Sequence, residues 1–267
     1  MSDHALPEPP ALTEKVFAAL DDKAQLPLLS LIVLGMLAGV YIGLGGLFAT
    51  IALAGSDAMP FGFAQVLSGF VFALGLALVL VAGAELFTGN TLMAGPVAAR
   101  RVAPALALRS LSIVYVANFA GSLLLVLVAF AAGIQDGGEG AVGRAAFEVG
   151  ETKVGKDFWT TLASGIIANM LVCLAVWLAY AGNTVTEKIA GLVLPVAAFV
   201  AAGLEHSVAN MYLLPFAYLV QGAASDADQA ITLADIARNL TAATIGNIIG
   251  GSLVALAYLA VYGGKKG

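Results

Sequence analysis

The sequence predicts an all-α polytopic membrane protein: six transmembrane helices in a 3+3 inverted repeat, with the second and fifth broken. Three observations predict it. Only 11% of the 267 residues are charged and 60% are apolar, whereas a soluble domain carries about a quarter charged residues. The mean hydropathy of +0.95 points the same way, so a water-soluble globule is excluded. Six apolar stretches reach the roughly 20 residues that a bilayer crossing takes. Finally, the second three stretches repeat the polar marks of the first three.

Residues 1–26 are polar and hold Pro7, Pro9 and Pro10. They read as a tail rather than a secretory signal, which would show a basic start and a short apolar centre. Within it, Leu12, Val16, Ala19 and Leu20 fall on one face of a short amphipathic helix. Such a helix lies along the membrane surface or packs on a neighbouring subunit. The channel domain is expected over 27–262, with repeats at about 27–134 and 158–262, followed by a short tail at 263–267. Its spans read as 28–54, 61–97, 104–134, 158–181, 189–220 and 233–262. The second and fifth exceed what a bilayer needs and are polar in their middles, which marks discontinuous helices.

Lys and Arg in the loops set the orientation. The termini and loops two and four carry Lys15, Lys23, Arg100, Arg101, Arg109, Lys188, Lys265 and Lys266; the other side has Arg144, Lys153, Lys156 and Arg238. The eight against four predicts both termini in the cytoplasm.

The repeat is textual. Ala82-Gly83-Ala84-Glu85-Leu86-Phe87-Thr88-Gly89-Asn90 answers Ala202-Gly203-Leu204-Glu205-His206-Ser207-Val208-Ala209-Asn210. In the third span of each half, Asn118-Phe119-Ala120-Gly121-Ser122 answers Asn247-Ile248-Ile249-Gly250-Gly251-Ser252. Three spans is an odd number, so the second copy is inverted and the two breaks meet near the midplane.

Glu85, Glu205 and His206 are the charge-bearing residues deep in the spans. A charge at the bilayer centre costs about 2.5–3.5 kcal/mol on insertion scales, so each needs a partner or a wet path. The symmetric placement of the glutamates points to an architectural role, each carboxylate accepting backbone N–H groups freed at its break. His206 has Leu86 as its counterpart, so architecture does not require it. Beside a pore it could attract an anion as imidazolium or pass it a proton, letting a neutral acid cross. Thr88 is placed to meet either the histidine or the anion. Asn90, Asn118, Asn169, Asn210, Asn239 and Asn247 read mainly as ties between helices. Phe72, Leu76, Leu86 and Phe199 flank the breaks and are able to narrow a path. Cys173, the one cysteine, reads as packing.

The composition also excludes functions. A net charge of −5 without a basic patch leaves nucleic acid out. One cysteine and two histidines, His4 and His206, make no metal cluster, and no GxSxG or HExxH motif is present. Neither enzyme nor cofactor is expected.

Glu205-His206-Ser207-Val208-Ala209-Asn210-Met211, Glu85-Leu86-Phe87-Thr88 and Ile245-Gly246-Asn247-Ile248-Ile249-Gly250-Gly251 resemble the signatures of the formate/nitrite transporter family, over residues 27–262. The resemblance implies an aquaporin-like protomer assembled as a pentamer in the inner membrane, each protomer holding a pore for formate, nitrite or hydrosulfide. By position, it makes His206 the central pore histidine and Thr88 its partner. Leu76, Leu86, Phe72 and Phe199 match the constrictions, and Lys153 and Asn169 the residues raising the positive potential of the anion path. Glu205 and Asn210 join this pore set; Glu85, Asn90, Gly83 and Gly203 belong to the helix breaks. Leu194-Pro195-Val196 resembles the formate branch, whereas Ala84-Glu85-Leu86-Phe87-Thr88-Gly89 is nearer the nitrite branch, which leaves the preferred anion open. A water- or glycerol-type channel shares the inverted plan, but those carry Asn-Pro-Ala at both breaks and no Asn-Pro occurs here. A closed-pore scaffold remains a further alternative.

Overall fold

Most of the long apolar helices begin where the sequence supplies an N-terminal signal. In the computed structural model, which describes residues 6–223 and 230–263, Pro27 precedes α2 (Leu28–Leu53) and Pro60 precedes α3 (Phe61–Ala77). Pro104 opens α6 (Pro104–Ala131), a position where its missing N–H costs nothing. Ahead of them lies α1 (Pro9–Ala24). Asp157 caps α8 (Phe158–Ala181), accepting the amides of Trp159 and Thr160. Reciprocal capping boxes start α9 (Val185–Ala201) at Thr184/Glu187 and α11 (Leu233–Tyr262) at Thr232/Asp235. His4, Lys265, Lys266 and the tail beyond 263 lie outside the described residues.

The two long stretches behave differently from single rods. After α3 comes a π-helical turn, Leu78–Gly83. Extended backbone follows at Ala84 and Leu86, then α4 (Phe87–Asn90), a 3₁₀ turn (Thr91–Met93) and α5 (Ala94–Ala98). The stretch at 189–220 is divided between α9 and α10 (Ser207–Val220). Among the described residues five helices are therefore long and apolar enough to cross a membrane, with α10 a shorter apolar helix. The chain is a multi-pass membrane protein.

The connection from 134 to 158, read from the sequence as loop, holds another helix, α7 (Ala141–Val154), which packs on α10. Its Val142, Ala145, Ala146 and Phe147 are buried, a helical spacing within a polar segment too short to register as a span. In α1, Leu12, Val16 and Leu20 are buried as expected, joined by Thr13, Phe17 and Ala24, while Ala19 is only half-buried. Phe17 stands edge-on to Trp177 with centroids 6.2 Å apart. Arg101 ties α1 down through Glu14 and Asp21.

The helices pair closely as α2 with α6 and as α8 with α11. A Cβ on Gly121 would meet the Met36 carbonyl, and one on Gly250 the Ile166 carbonyl. Glycine there lets the backbones touch, as membrane helix packing favours.

Candidate functional site

Leaving a helix inside a membrane frees backbone groups that must find partners. The sequence assigned that task to the glutamates; the structure gives it to two asparagines. Asn118 Oδ1 accepts the Phe87 amide at 2.9 Å, and its Nδ2 donates to the carbonyls of Gly35 (2.7 Å) and Glu85 (2.9 Å). Asn247 does the same for the other half, accepting from Ser207 N (2.8 Å) and donating to Gly165 O (2.8 Å) and Glu205 O (2.9 Å). A carboxamide offers both donors and an acceptor on one rigid plane, which a carboxylate does not. Gly83 (φ +88°) and Gly203 (φ +62°) end the preceding helical segments in the left-handed region, where a side chain is strained.

The carboxylates are bound instead to lysines of α1, of α7 and of the turn that follows α7. Glu85 Oε1 takes Lys23 Nζ of α1 at 2.6 Å, and its Oε2 takes Asn90 Nδ2 at 2.7 Å. Glu205 Oε1 takes Lys156 Nζ at 2.6 Å, while its Oε2 faces Lys153 Nζ (3.3 Å), Asn210 Nδ2 (2.6 Å) and Asn239 Nδ2 (3.3 Å). Both carboxylates accept from side chains because the asparagines have already taken the freed amides. The sequence reading counted Lys23 and Lys156 for orientation but not as partners of the glutamates; Lys156 stands three residues after Lys153, a spacing that puts both near one carboxylate.

His206 is fixed on both edges of its ring. Nδ1 accepts the Ala209 amide at 3.0 Å, so the side chain caps α10. Nε2 lies 2.8 Å from Thr88 Oγ1. With Nδ1 accepting, the neutral ring carries its proton on Nε2. Adding a proton to Nδ1 displaces the Ala209 bond. The ring lies 5.6 Å from Phe199, and Phe199 stands edge-on to Phe72 at 5.6 Å.

A cavity of about 570 Å³ is lined by Phe72, Phe199, His206, Lys153 and Lys156 among others. A cavity of about 20 Å³ is lined by Leu86, Gly89, Asn90, Lys23 and the α1 residues Val16 and Leu20. Thr88 lies between Leu86 and Gly89 in sequence and bonds His206, so that one contact joins the walls of the two cavities. Leu76 is buried. Asn210 and Asn169 are wholly buried among helices. Asn210 binds Glu205 and Asn239, and Asn169 donates to Thr88 O, Thr91 Oγ1 and Asn247 O. These two contribute as ties, while Lys153 and His206 face space.

Lys153 ends α7. Asn239 donates to its carbonyl (3.1 Å), and Arg238 to that of Val154 (2.6 Å), pinning the turn to α11. Burial lowers the Lys153 pKa below the ordinary lysine value; Glu205 opposes this and Lys156 adds to it.

The sequence profile described as formate/nitrite transporter matches residues 10–261. The chain belongs to this family. Among its relatives, the formate channel FocA of Escherichia coli K12 is 37% identical over 242 residues, covering 86% of this chain and 85% of FocA. The formate channel BtFdhC of Bacillus thuringiensis is 34% identical over 261 residues, covering 97% and 96% respectively. Among solved structures, a pentameric formate channel with formate bound superposes with TM-score 0.79 at 33% identity, covering 88% of this chain and 97% of that one. An ion channel of the same family gives TM-score 0.81 at 28% identity, covering 93% and 98%.

Proposed function

We propose that this protein is a channel for small monovalent anions, formate and nitrite foremost, with one pore through each protomer. The observation that carries the reading is the lysine-lined cavity whose wall includes Phe72, Phe199 and a histidine bonded to Thr88. The protomer is aquaporin-like, with two inverted triplets, and α3/α4 and α9/α10 are its interrupted second and fifth spans. The matched bonding of Asn118 and Asn247 supports this. The protomers form a pentamer in the inner membrane, with both termini cytoplasmic. The helix α1 caps the cytoplasmic mouth, and 27–262 is the channel.

An anion enters the larger cavity, drawn by Lys153, and meets Phe72 and Phe199. Stripping its water between apolar rings is costly, so replacement partners must stand next in line. His206 Nε2–H and the Thr88 hydroxyl supply them, and Leu86 and Leu76 close the far side. In this geometry His206 acts as a neutral hydrogen-bond donor. That departs from both sequence-based alternatives, an imidazolium that attracts the anion and a ring that passes it a proton, since a second ring proton sacrifices the α10 cap.

Formate flux into proteoliposomes under an imposed pH gradient tests this. His206→Asn keeps a donor and retains substantial flux; His206→Ala loses it. Equal flux through wild type and both variants would sink the role of the histidine, and no flux through wild type would sink the channel.

A further inference from the structure

The two buried glutamates are unequally served. Glu85 has one ammonium, Lys23 at 2.6 Å. Glu205 has two, Lys156 at 2.6 Å and Lys153 at 3.3 Å. Oε2, the oxygen nearest Lys153, is already occupied by Asn210 at 2.6 Å. Lys156 is held more firmly, since its Nζ also donates to Gly203 O at 2.7 Å. Lys153 is thus the loosest member of the group.

Charge sharpens the point. Two ammoniums and one carboxylate leave a single positive charge beside His206. The same cavity wall carries Asp57 and Glu148, both exposed, where water and salt screen them. The lysine side chains are only 11% and 23% accessible and the Glu205 side chain 0%, so charges there act at longer range. Without Lys156 the inner group would be neutral, and the two exposed acids would dominate the approach.

We propose that Lys156 is a positioning residue for the anion: by taking Glu205 as its own partner, it leaves the Lys153 ammonium only weakly held and able to receive the incoming ion. This rests on the anion-channel reading. Lys156 is a positioning residue; the contact with the anion is made by Lys153.

The test uses full-length protein in proteoliposomes, measuring initial formate uptake against formate concentration at low and high salt. Wild type must conduct; if it does not, the channel reading fails and this inference is moot with it. Given a conducting wild type, Lys156→Met raises the half-saturating formate concentration by about tenfold, the low end of electrostatic steering effects. It also flattens the salt dependence and leaves the acetate-to-formate ratio unchanged. Lys156→Arg stays near wild type. The double variant Lys156→Met/Glu205→Gln removes the carboxylate together with its partner, restoring the positive charge and with it the low half-saturation. That variant also tests the idea if Lys156→Met does not assemble. A double variant that still needs tenfold more formate, or a folded Lys156→Met with wild-type concentration and salt dependence, overturns the proposal.

Discussion

His206 stands opposite Leu86 in the matched segments, and both ring nitrogens are engaged. Capping α10 through Nδ1 orients the ring, and Thr88 meets Nε2. The choice of histidine was legible because an imidazole in a span is rare. Its tautomer was not, since only the positions of Ala209 N and Thr88 Oγ1 assign it. Phe199 lies against that ring and Phe72 stands edge-on to Phe199. Under the proposed function, Phe199→Ala and Leu76→Ala relax selectivity toward acetate and lactate. Relative uptake of the three acids measures this, and an unaltered series would place those side chains in packed helix rather than in the path.

Among the elements, the interruptions depend on residues far from them in sequence. Asn118 and Asn247 each satisfy one amide and two carbonyls. Leaving a buried backbone group unpaired costs about 1–3 kcal/mol. Asn247→Ala is therefore expected to destabilise the protein by at least that much, visible as a lower unfolding temperature in detergent. Asn183→Ala, at an exposed loop position, serves as the control and stays within about 0.5 kcal/mol. An Asn247→Ala protein as heat-resistant as wild type would refute the capping role. The repeat of asparagines was readable in the sequence, but their partners were not. The error over Glu85 and Glu205 came from assigning the freed amides to the nearest polar side chain in sequence. The missed helix α7 has the same origin: it is too polar to register as a span, and packing on α10 is what orders it.

For the molecule as a whole, charge sorting has a structural counterpart. Lys15 reaches Asn183, Lys23 reaches Glu85 and Arg101 reaches Glu14 and Asp21, all around α1. Lys153, Lys156 and Arg238 gather around the end of α7. The two groups are those that the loop count assigned to opposite sides. The proposed orientation predicts that Arg144→Cys is labelled by a membrane-impermeant maleimide in intact bacterial cells. Lys15→Cys should react only in inside-out vesicles. The reverse pattern would turn the protein over.

The sequence by itself determined that this chain lives in a bilayer, where most of its long apolar helices begin, and which family it belongs to. Those properties depend on local composition, proline and capping chemistry, and rare polar residues at fixed spacing, all of which are written along the chain. Tertiary structure decided which asparagine holds which break, that two lysines share Glu205 while Lys23 serves Glu85, and which edge of His206 carries the proton. Apart from the Ala209 cap on the His206 ring, each of these is a contact between residues 30 to 120 positions apart, and in a low-dielectric interior the partner, more than the residue type, sets what a polar group does.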